Sequence, residues 1–436
     1  MLSAEIDVAF DCSLLGMGYV NPKARTGIFR AVQQTLLSLL EQSVLRLHLT
    51  GLNNEPSLWN QASAKLYLQE QQVDLDRAEL ALDSAWDSYL KYPILAQKAL
   101  LEKFRLFEVF RKAVVAVQLP VDRAASFSDR HLSNLEGYQV YHSPYFPLPA
   151  KLKESKIPRI LTMYDLTPIL YPNLCSKRTL QQFCRILESI DIDRDWIVCI
   201  SEATKQDFCD YTGMNPSRVF TAPLAASGRF RPISASEETH KTLRYYGLAD
   251  SPYLLSLATL EPRKNLEFLV RCFLNLIQEN PSTDLKLVLV GVSGWKNEGI
   301  FREVQTCSDL ADRVIFTGFL PDRDLSTIYS GALAFAYPSL YEGFGLPPLE
   351  AMQCGTPVIT SNKSSLPEVV GDAGIMVNPA DEDAMCQAIL DLVSSSTLRR
   401  SLSQKGLARA KQFSWTRCAR ETVKVYETAI SSQDRS

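Results

Sequence analysis

The stretch YEGFGLPPLE, residues 341–350, contains two glutamates with seven residues between them, and glycines and prolines fill much of that interval. Glycine allows a ligand to approach the backbone closely, and proline suits the first turn of a helix. The stretch follows a predicted strand at residues 333–337 and precedes a predicted helix at residues 349–354. A loop that runs into a helix N-terminus offers free N–H groups and a positive dipole end, which favours a diphosphate ligand.

Each glutamate of this stretch has two interpretations. Glu350 is predicted in the first helical turn, where its carboxylate could accept hydrogen bonds from both hydroxyls of a ribose or simply complement the helix dipole. Glu342 lies in the preceding loop, either as a ligand group or as surface charge. The residues alone leave both alternatives open.

A second motif, LEPRKNL at residues 260–266, lies between a predicted strand and a predicted helix. Arg263 offers a planar fork for phosphate oxygens and Lys264 a point charge, so the pair could neutralise a leaving diphosphate. An adjacent Arg–Lys pair is also common on solvated surfaces. A third motif, GVSGW at residues 291–295, fits a loop that a phosphate or base approaches, but it is neither a GxGxxG fingerprint nor a P-loop, which disfavours an NTP hydrolase.

Strand and helix patterns alternate in both halves of the chain, which predicts an α/β fold with parallel sheets covered on both faces. Two such doubly wound, Rossmann-like domains would face each other across a cleft at the carboxyl ends of their strands. The predicted strands lie at residues 6–10, 45–49, 139–142, 159–164, 196–200, 219–223, 253–257, 285–290, 314–317, 333–337, 357–360 and 374–377, and a loop is predicted after the first of them.

The predicted boundaries are a first domain at residues 1–230, a second domain at 250–412 and a final helical segment at 413–436 that crosses back to the first domain. Residues 57–118 contain no glycine and are predicted to be a helical insertion. Within it, residues 101–117 mix basic and aromatic side chains. They fit either a membrane-surface or acceptor-binding helix, or an ordinary packed helix with a basic face.

Composition excludes several classes of protein. The chain has 436 residues, a formal net charge of −3 and 22% charged residues, which argues against bulk nucleic-acid binding. No apolar run reaches the roughly 20 residues that a membrane span requires, and the first ten residues do not resemble a signal peptide. Ten cysteines without a C-x-x-C pair indicate reduced thiols in a cytosolic protein, and four histidines make a His-rich metal site improbable.

Together the motifs resemble the donor-binding domain of retaining glycosyltransferases of the GT-B fold, in the large family four (group 1) that includes many bacterial mannosyltransferases. The resemblance covers residues 253–427. The matching segments, in order, are EPRKN (261–265), LVG (289–291), FTGFL (316–320), YPS (337–339), EGFGLPPLE (342–350) and GTPV (355–358).

The resemblance implies roles for these residues. Arg263 and Lys264 would contact the donor diphosphate, Glu350 the ribose and Glu342 the donor sugar. The donor-binding candidates are Gly27, Arg263, Lys264, Gly291, Phe319, Glu342, Gly343, Phe344, Gly345, Leu346 and Glu350. The catalytic candidates are Arg263, Lys264, Glu342, Asp165 and His142.

The first half of the chain matches the family less closely. RTGIFR, residues 25–30, is similar to the family's Gly-Ile-Gly-Arg loop, but Phe29 replaces the second glycine. Many relatives carry His-Asp where this chain has Tyr164 and Asp165. Asp165 and His142 are predicted at strand ends facing the cleft, where either could orient an acceptor hydroxyl. The alternatives are a turn cap for Asp165 and a structural role for His142.

The expected reaction is retaining transfer of a sugar from a nucleotide-diphosphate donor to a hydroxyl group of a glycan, a lipid-linked or another acceptor, with GDP or UDP as product. GDP-mannose is the first choice of donor, and UDP-glucose and UDP-N-acetylglucosamine stay open. No cofactor, metal or nucleic acid is expected, and the oligomeric state is open. The expected location is the cytoplasm, with peripheral contact at the inner membrane face as an alternative. A non-catalytic nucleotide-sugar-binding regulator and a GT-B epimerase or phosphorylase are the competing interpretations.

Overall fold

The computed structural model describes residues 5–21, 25, 27–51, 58–74, 78–80, 84–103 and 137–433. These residues form two parallel sheets with helices on their faces. Most of the basic, aromatic segment at residues 101–117 lies outside the described residues. None of the helices in the described part of the chain combines the length and apolar character that crossing a membrane demands.

The first sheet has the strand order β3-β2-β1-β4-β5-β6-β7, and every neighbouring pair is parallel. Its interior strand β1 pairs Val8 with Leu47 on one side and with Val140 on the other. The strands are β1 (Ile6–Asp11), β2 (Leu45–Thr50), β3 (Ala78–Leu80), β4 (Val140–Ser143), β5 (Arg159–Met163), β6 (Trp196–Cys199) and β7 (Val219–Thr221).

The second sheet has the order β10-β9-β8-β11-β12-β13 and is also parallel. Chain order reverses on either side of β8, and the crevice at such a switch point is where α/β sheets bind ligands. The strands are β8 (Tyr253–Leu257), β9 (Lys286–Val290), β10 (Val314–Gly318), β11 (Ala334–Tyr337), β12 (Val358–Ser361) and β13 (Gly374–Val377).

Helices cover both sheets, and most present one apolar side to them. Helix α9 illustrates this arrangement: Leu266, Leu269, Phe273 and Ile277 recur at helical spacing and are buried. The helices are α1 (Ser13–Val20), α2 (Gly27–Leu40), α3 (Leu58–Glu70), α4 (Ser84–Lys103), α5 (Thr167–Leu170), α6 (Lys177–Glu188), α7 (Glu202–Thr212), α8 (Glu237–Tyr245), α9 (Leu266–Glu279), α10 (Glu298–Thr306), α11 (Asp322–Gly331), α12 (Leu346–Gln353), α13 (Leu366–Val370), α14 (Glu382–Ser394), α15 (Ser396–Ala410) and α16 (Trp415–Gln433).

Two segments of the first domain differ from the sequence prediction. The predicted loop after β1 is helix α1. This helix contains two glycines, which are uncommon inside helices. A Cβ atom on Gly16 would lie 2.0 Å from the Asn60 carbonyl oxygen, so glycine there lets α1 pack closely against α3. The predicted helical insertion at 57–118 contains strand β3 between α3 and α4, because pairing with the edge of β2 outweighs the helical composition.

The last helix, α16, packs against the first domain. It contacts α2 and the ends of β4 and β6. Its Cys418 thiol lies 3.8 Å from the carbonyl oxygen of Ala222, and its Tyr426 is fully buried. The final segment of the chain therefore bridges the second domain to the first.

Candidate functional site

Arg263 and Lys264 of the LEPRKNL motif lie in a single 3₁₀ turn, Pro262–Lys264, at the carboxyl edge of the second sheet. Asn265 ends this turn in the left-handed region, with φ of 56°. Its side-chain amide nitrogen Nδ2 donates to the carbonyl oxygens of Pro338, at 3.2 Å, and Pro379, at 2.8 Å. Asn265 thereby fixes the direction in which Arg263 and Lys264 leave the backbone.

Both cations contact the same carboxylate, that of Glu342. Lys264 Nζ donates to Glu342 Oε1 at 2.6 Å and Arg263 Nη1 to Glu342 Oε2 at 2.8 Å. Tyr337 donates its hydroxyl to Oε1 at 3.0 Å. Burial opposes ionisation of Glu342, but the two cations outweigh it and lower the pKa of Glu342 to about 2. The carboxylate is therefore ionised near neutral pH.

This pairing leaves part of each cation for a ligand. Arg263 also donates to the Tyr341 carbonyl and to Glu261, which accounts for three of its five N–H groups among the described residues. Lys264 donates to Tyr337 and Glu342, which accounts for two of its three. Two N–H groups of Arg263 and one of Lys264 thus have no hydrogen-bond acceptor among the described residues.

Glu350 lies apart from this network. Its Oε2 accepts a hydrogen bond from Tyr329 at 3.0 Å. Burial raises the pKa of Glu350 to about 7, against the opposing effect of the Tyr329 hydrogen bond. The prediction that Glu350 lies in the first helical turn is wrong: α12 begins at Leu346, because Gly345 adopts a left-handed φ of 106° and the following prolines suit a helix start.

The loop from Gly343 to Leu346 is held by its neighbours. Ser365 Oγ donates to the carbonyl oxygens of Glu342, at 2.9 Å, and Phe344, at 2.7 Å, and Ser364 Oγ accepts from the Glu342 amide. The Phe344 ring is buried edge-on against Phe413. The Leu346 amide opens α12, where N–H groups have no intrahelical acceptor.

Two further candidates lie at the ends of β9 and β10. Phe319 is 69% exposed, which leaves its ring open to a ligand. Gly291 has a φ of 148°, and a Cβ atom there would lie 1.9 Å from the Ala258 carbonyl oxygen. Glycine at position 291 is therefore required by the packing of β8 against β9, a reason that the motif alone did not reveal.

In the first domain His142 is fully buried. Its Nδ1 pairs with the Tyr426 hydroxyl at 2.7 Å and its Nε2 with Thr162 Oγ1 at 2.8 Å. Burial lowers the pKa of His142 to about 3, so the imidazole is neutral. The expectation that His142 faces the cleft is wrong, because α16 covers that strand end.

Asp165 does face the cleft. Its Oδ1 accepts from the Thr167 amide at 2.9 Å, which is the predicted turn cap. A cavity of about 400 Å³ between the domains is lined by Asp165, Tyr145 and Tyr164 of the first domain and by Arg263 and Trp295 of the second. Asp165 and Arg263, a candidate ligand of the donor diphosphate, therefore line the same cavity.

The RTGIFR motif contributes to the edge of this space. Gly27 is exposed at the start of α2, and a Cβ atom there would meet nothing within 4 Å, so packing among the described residues does not require glycine at this position. Ile28 lines the cavity. Phe29 is buried, with its ring in the space that Gly18 leaves, which explains why it replaces glycine.

Comparison with known proteins identifies the family. The family description "Glycosyl transferases group 1" matches residues 244–409. O-antigen chain mannosyltransferase B of Escherichia coli is 35% identical over 289 residues, which cover 66% of this chain and 74% of that protein. The chain belongs to the group 1 glycosyltransferases.

Other proteins extend the comparison. This glycosyltransferase is 34% identical over 243 residues to the serotype-specific mannosyltransferase WbdA of Escherichia coli, covering 56% of this chain but 30% of that longer protein. The sucrose-phosphate synthase of Thermosynechococcus elongatus has a similar structure, with a TM-score of 0.64 at 18% identity over 98% of this chain and all of that one. The predicted GT-B fold and glycosyltransferase activity are thereby confirmed, and the regulator, epimerase and phosphorylase alternatives are not favoured.

The sequence motifs missed several residues of the site. Tyr337, Ser364 and Ser365 hold Glu342, and Tyr145 and Trp295 line the cavity. Tyr337 belongs to the matched YPS segment and Trp295 to the GVSGW motif, so their positions in the chain were a usable signal. Tyr145 and the two serines carry no such signal, because only folding brings them to the cleft.

Proposed function

We propose that this glycosyltransferase moves mannose from GDP-mannose to a hydroxyl group of a glycan acceptor, with retention at the anomeric carbon. The observation that carries the proposal is the shared cavity, in which Asp165 of one domain and Arg263 of the other line one space. Mannose is chosen because the curated relatives O-antigen chain mannosyltransferase B and WbdA are mannosyltransferases by name.

The donor is assigned to the second domain. The available N–H groups of Arg263 and Lys264 and the amide at the start of α12 suit the diphosphate. Glu350 accepts hydrogen bonds from the ribose, and the exposed ring of Phe319 borders the base. Glu342, held by both cations, is assigned to the hydroxyl groups of the mannose.

In the reaction the bond between the anomeric carbon and the diphosphate oxygen breaks, and its electron pair stays on that oxygen. The acceptor hydroxyl oxygen bonds to the anomeric carbon on the same face, and its proton passes to the departing phosphate oxygen. Arg263 and Lys264 stabilise the charge that develops there, which is commonly the largest catalytic contribution. Asp165 Oδ2 orients the acceptor hydroxyl, since Oδ1 is occupied by Thr167.

These cations supply the positive charge for which other transferases use a metal, so we propose transfer without a metal or cofactor. We place the reaction in the cytoplasm, since all ten cysteines are free thiols, five of them buried. The acceptor is a glycan, presented on a lipid at the inner membrane face, and the pathway is polysaccharide synthesis. Support for this acceptor comes from the name of the O-antigen relative.

The proposal is tested by incubating the purified protein separately with GDP-mannose, UDP-glucose and UDP-N-acetylglucosamine, each with methyl α-mannoside as acceptor. Released nucleotide and new disaccharide are measured by chromatography and mass spectrometry. We expect GDP and dimannoside in equal amounts. Turnover of a UDP-sugar alone would contradict the choice of donor, and tight GDP-mannose binding without transfer would contradict the acceptor assignment.

A further inference from the structure

Helix α7 of the first domain contacts residues 341–346 of the second domain, which we call the donor loop. Thr204 and Asp207, three positions apart, lie on one side of this helix. Thr204 Oγ1 lies 3.3 Å from the Gly343 carbonyl oxygen, and Tyr341 donates its hydroxyl to Asp207 Oδ2 at 2.6 Å. A Cβ atom on Gly343 would lie 2.0 Å from the Tyr164 carbonyl oxygen, so the two domains meet closely here.

A third contact joins the same helix to the second domain. The amide of Glu202, at the N-terminus of α7, donates to Glu368 Oε2 at 2.9 Å. A carboxylate at a helix N-terminus is favoured by the helix dipole. Glu368 lies on α13, which begins directly after Ser365, and Ser365 holds the carbonyl oxygens of the donor loop.

Successive residues of the loop contact alternate domains. Tyr341 and Gly343 contact α7, whereas Glu342 between them contacts Arg263 and Lys264. The Tyr341 carbonyl oxygen also accepts from Arg263 Nη1 at 2.9 Å. One tyrosine therefore links a first-domain carboxylate to a donor-site cation, and a shift of α7 would move Glu342.

We propose that Thr204 and Asp207 are positioning residues that hold Glu342 in its catalytic place when the domains close. The inference rests on the proposed function for the role of Glu342. Opening of the cleft separates α7 from residues 341–343 and releases the loop. Closure and the placement of Glu342 are in this way one event, which limits reaction of the bound donor before the cleft is shut.

The kinetic test compares Tyr341→Phe, Asp207→Ala and the double variant, with GDP-mannose as donor and methyl α-mannoside as acceptor. Loss of a hydrogen bond to a charged group predicts that kcat falls about tenfold or more. The Kd for GDP-mannose stays within about twofold, because the donor ligands lie in the second domain. The double variant should be no slower than the slower single variant, as expected for two partners of one bond.

Two controls separate positioning from general damage to the helix. Asp210→Ala removes a carboxylate that pairs with Gln206 on the exposed side of α7, and its kcat should match that of the wild type. Thr204→Val should lower kcat, whereas Thr204→Ser keeps the hydroxyl and should restore it. Equal kcat for Tyr341→Phe and wild type, or a loss that lies entirely in the donor Kd, would overturn the inference.

A second measurement does not depend on the donor. Small-angle X-ray scattering of the free protein should give a larger radius of gyration for the Thr204→Val and Tyr341→Phe double variant than for wild type or Asp210→Ala. Equal radii would overturn the inference whatever the donor is. Wild-type protein that releases no GDP would contradict the proposed function instead, so the two failures are distinguishable.

Discussion

Lys264 Nζ lies 2.6 Å from Glu342 Oε1, so the predicted diphosphate ligand and the predicted sugar ligand are bonded to each other. The sequence presented them as separate candidates, 78 positions apart. Their contact makes the cations part of a preorganised group in which Glu342 sets their direction. Preorganised charge of this kind costs little reorganisation during reaction.

Replacement of Lys264 by methionine keeps most of the side-chain volume and removes the charge. We expect the Kd for GDP-mannose to rise about 10- to 100-fold, the range for a lost charge-assisted hydrogen bond. Isothermal titration calorimetry measures this directly. Lys405→Met is the matched control, because Lys405 pairs with Asp372 on the surface. Comparable affinity of Lys264→Met and the control would contradict the diphosphate assignment.

Donor binding should depend on pH through Glu350. With a pKa of about 7, this carboxyl is largely protonated at pH 6 and ionised at pH 8. The ionised form is the stronger acceptor for the two ribose hydroxyls, so affinity for GDP-mannose should rise over this interval, by up to about tenfold per pH unit below the pKa. Titrations across this range should show the slope in wild type and its loss in Glu350→Gln. The same slope in both proteins would contradict the prediction.

The Glu350 carboxyl should also lower the free energy of unfolding at high pH. Its folded-state pKa is raised from 4.5 to about 7, so the folded protein binds more protons between these values than the unfolded chain. Stability from this group is therefore fully present below 4.5 and lost as the pH rises through 7. Glu350→Gln should gain about 1–3 kcal/mol relative to wild type at pH 8, and much less at pH 5, in urea unfolding. An equal gain in unfolding free energy at pH 5 and pH 8 would contradict the raised pKa of Glu350 as its cause.

Substitution of Gly343 by alanine should impair closure. The added methyl group would meet the Tyr164 carbonyl oxygen at 2.0 Å, and a backbone atom cannot move aside as a flexible side chain can. We expect kcat to fall about tenfold or more, as for a donor misplaced by a small shift. Gly228→Ala is the control, since a Cβ atom there meets nothing within 4 Å. Wild-type kcat in Gly343→Ala would show that the domains do not meet at this glycine during turnover.

His142 and Asp165 should respond differently to alanine. His142→Ala strands the buried Tyr426 hydroxyl and leaves a cavity, which should cost about 2–4 kcal/mol of unfolding free energy. Turnover per folded molecule should change little. Asp165→Ala should lower kcat about 100-fold with a small change in stability, since a reacting group misplaced by about 1 Å can cost this much. The reverse pattern would make His142 the acceptor-side residue.

The sequence was most informative where a local pattern carried the function. Strand ends followed by EPRKN and EGFGLPPLE predicted the parallel sheets and the family, because turn residues and apolar runs are local properties. The burial of His142 was not predictable from a local pattern. Its burial depends on Tyr426, 284 positions further along the chain, and such a contact leaves no pattern near either residue.

Local composition also misled at two points. Glycines in α1 suggested a loop, although Gly16 serves close helix packing against Asn60. The helix-forming composition around residues 78–80 concealed β3, since an edge strand owes its pairing to the neighbouring β2. Tertiary contacts decided both segments, and a single sequence does not display them.

We propose that the second domain binds a nucleotide-diphosphate mannose through Lys264 and Glu350 and that the sugar is transferred with retention. Proton NMR of the disaccharide formed from GDP-α-mannose and methyl α-mannoside tests it most directly. We expect a new α linkage formed in step with GDP release, and much less product from Lys264→Met. A β-linked product, or undiminished product from Lys264→Met, would contradict it.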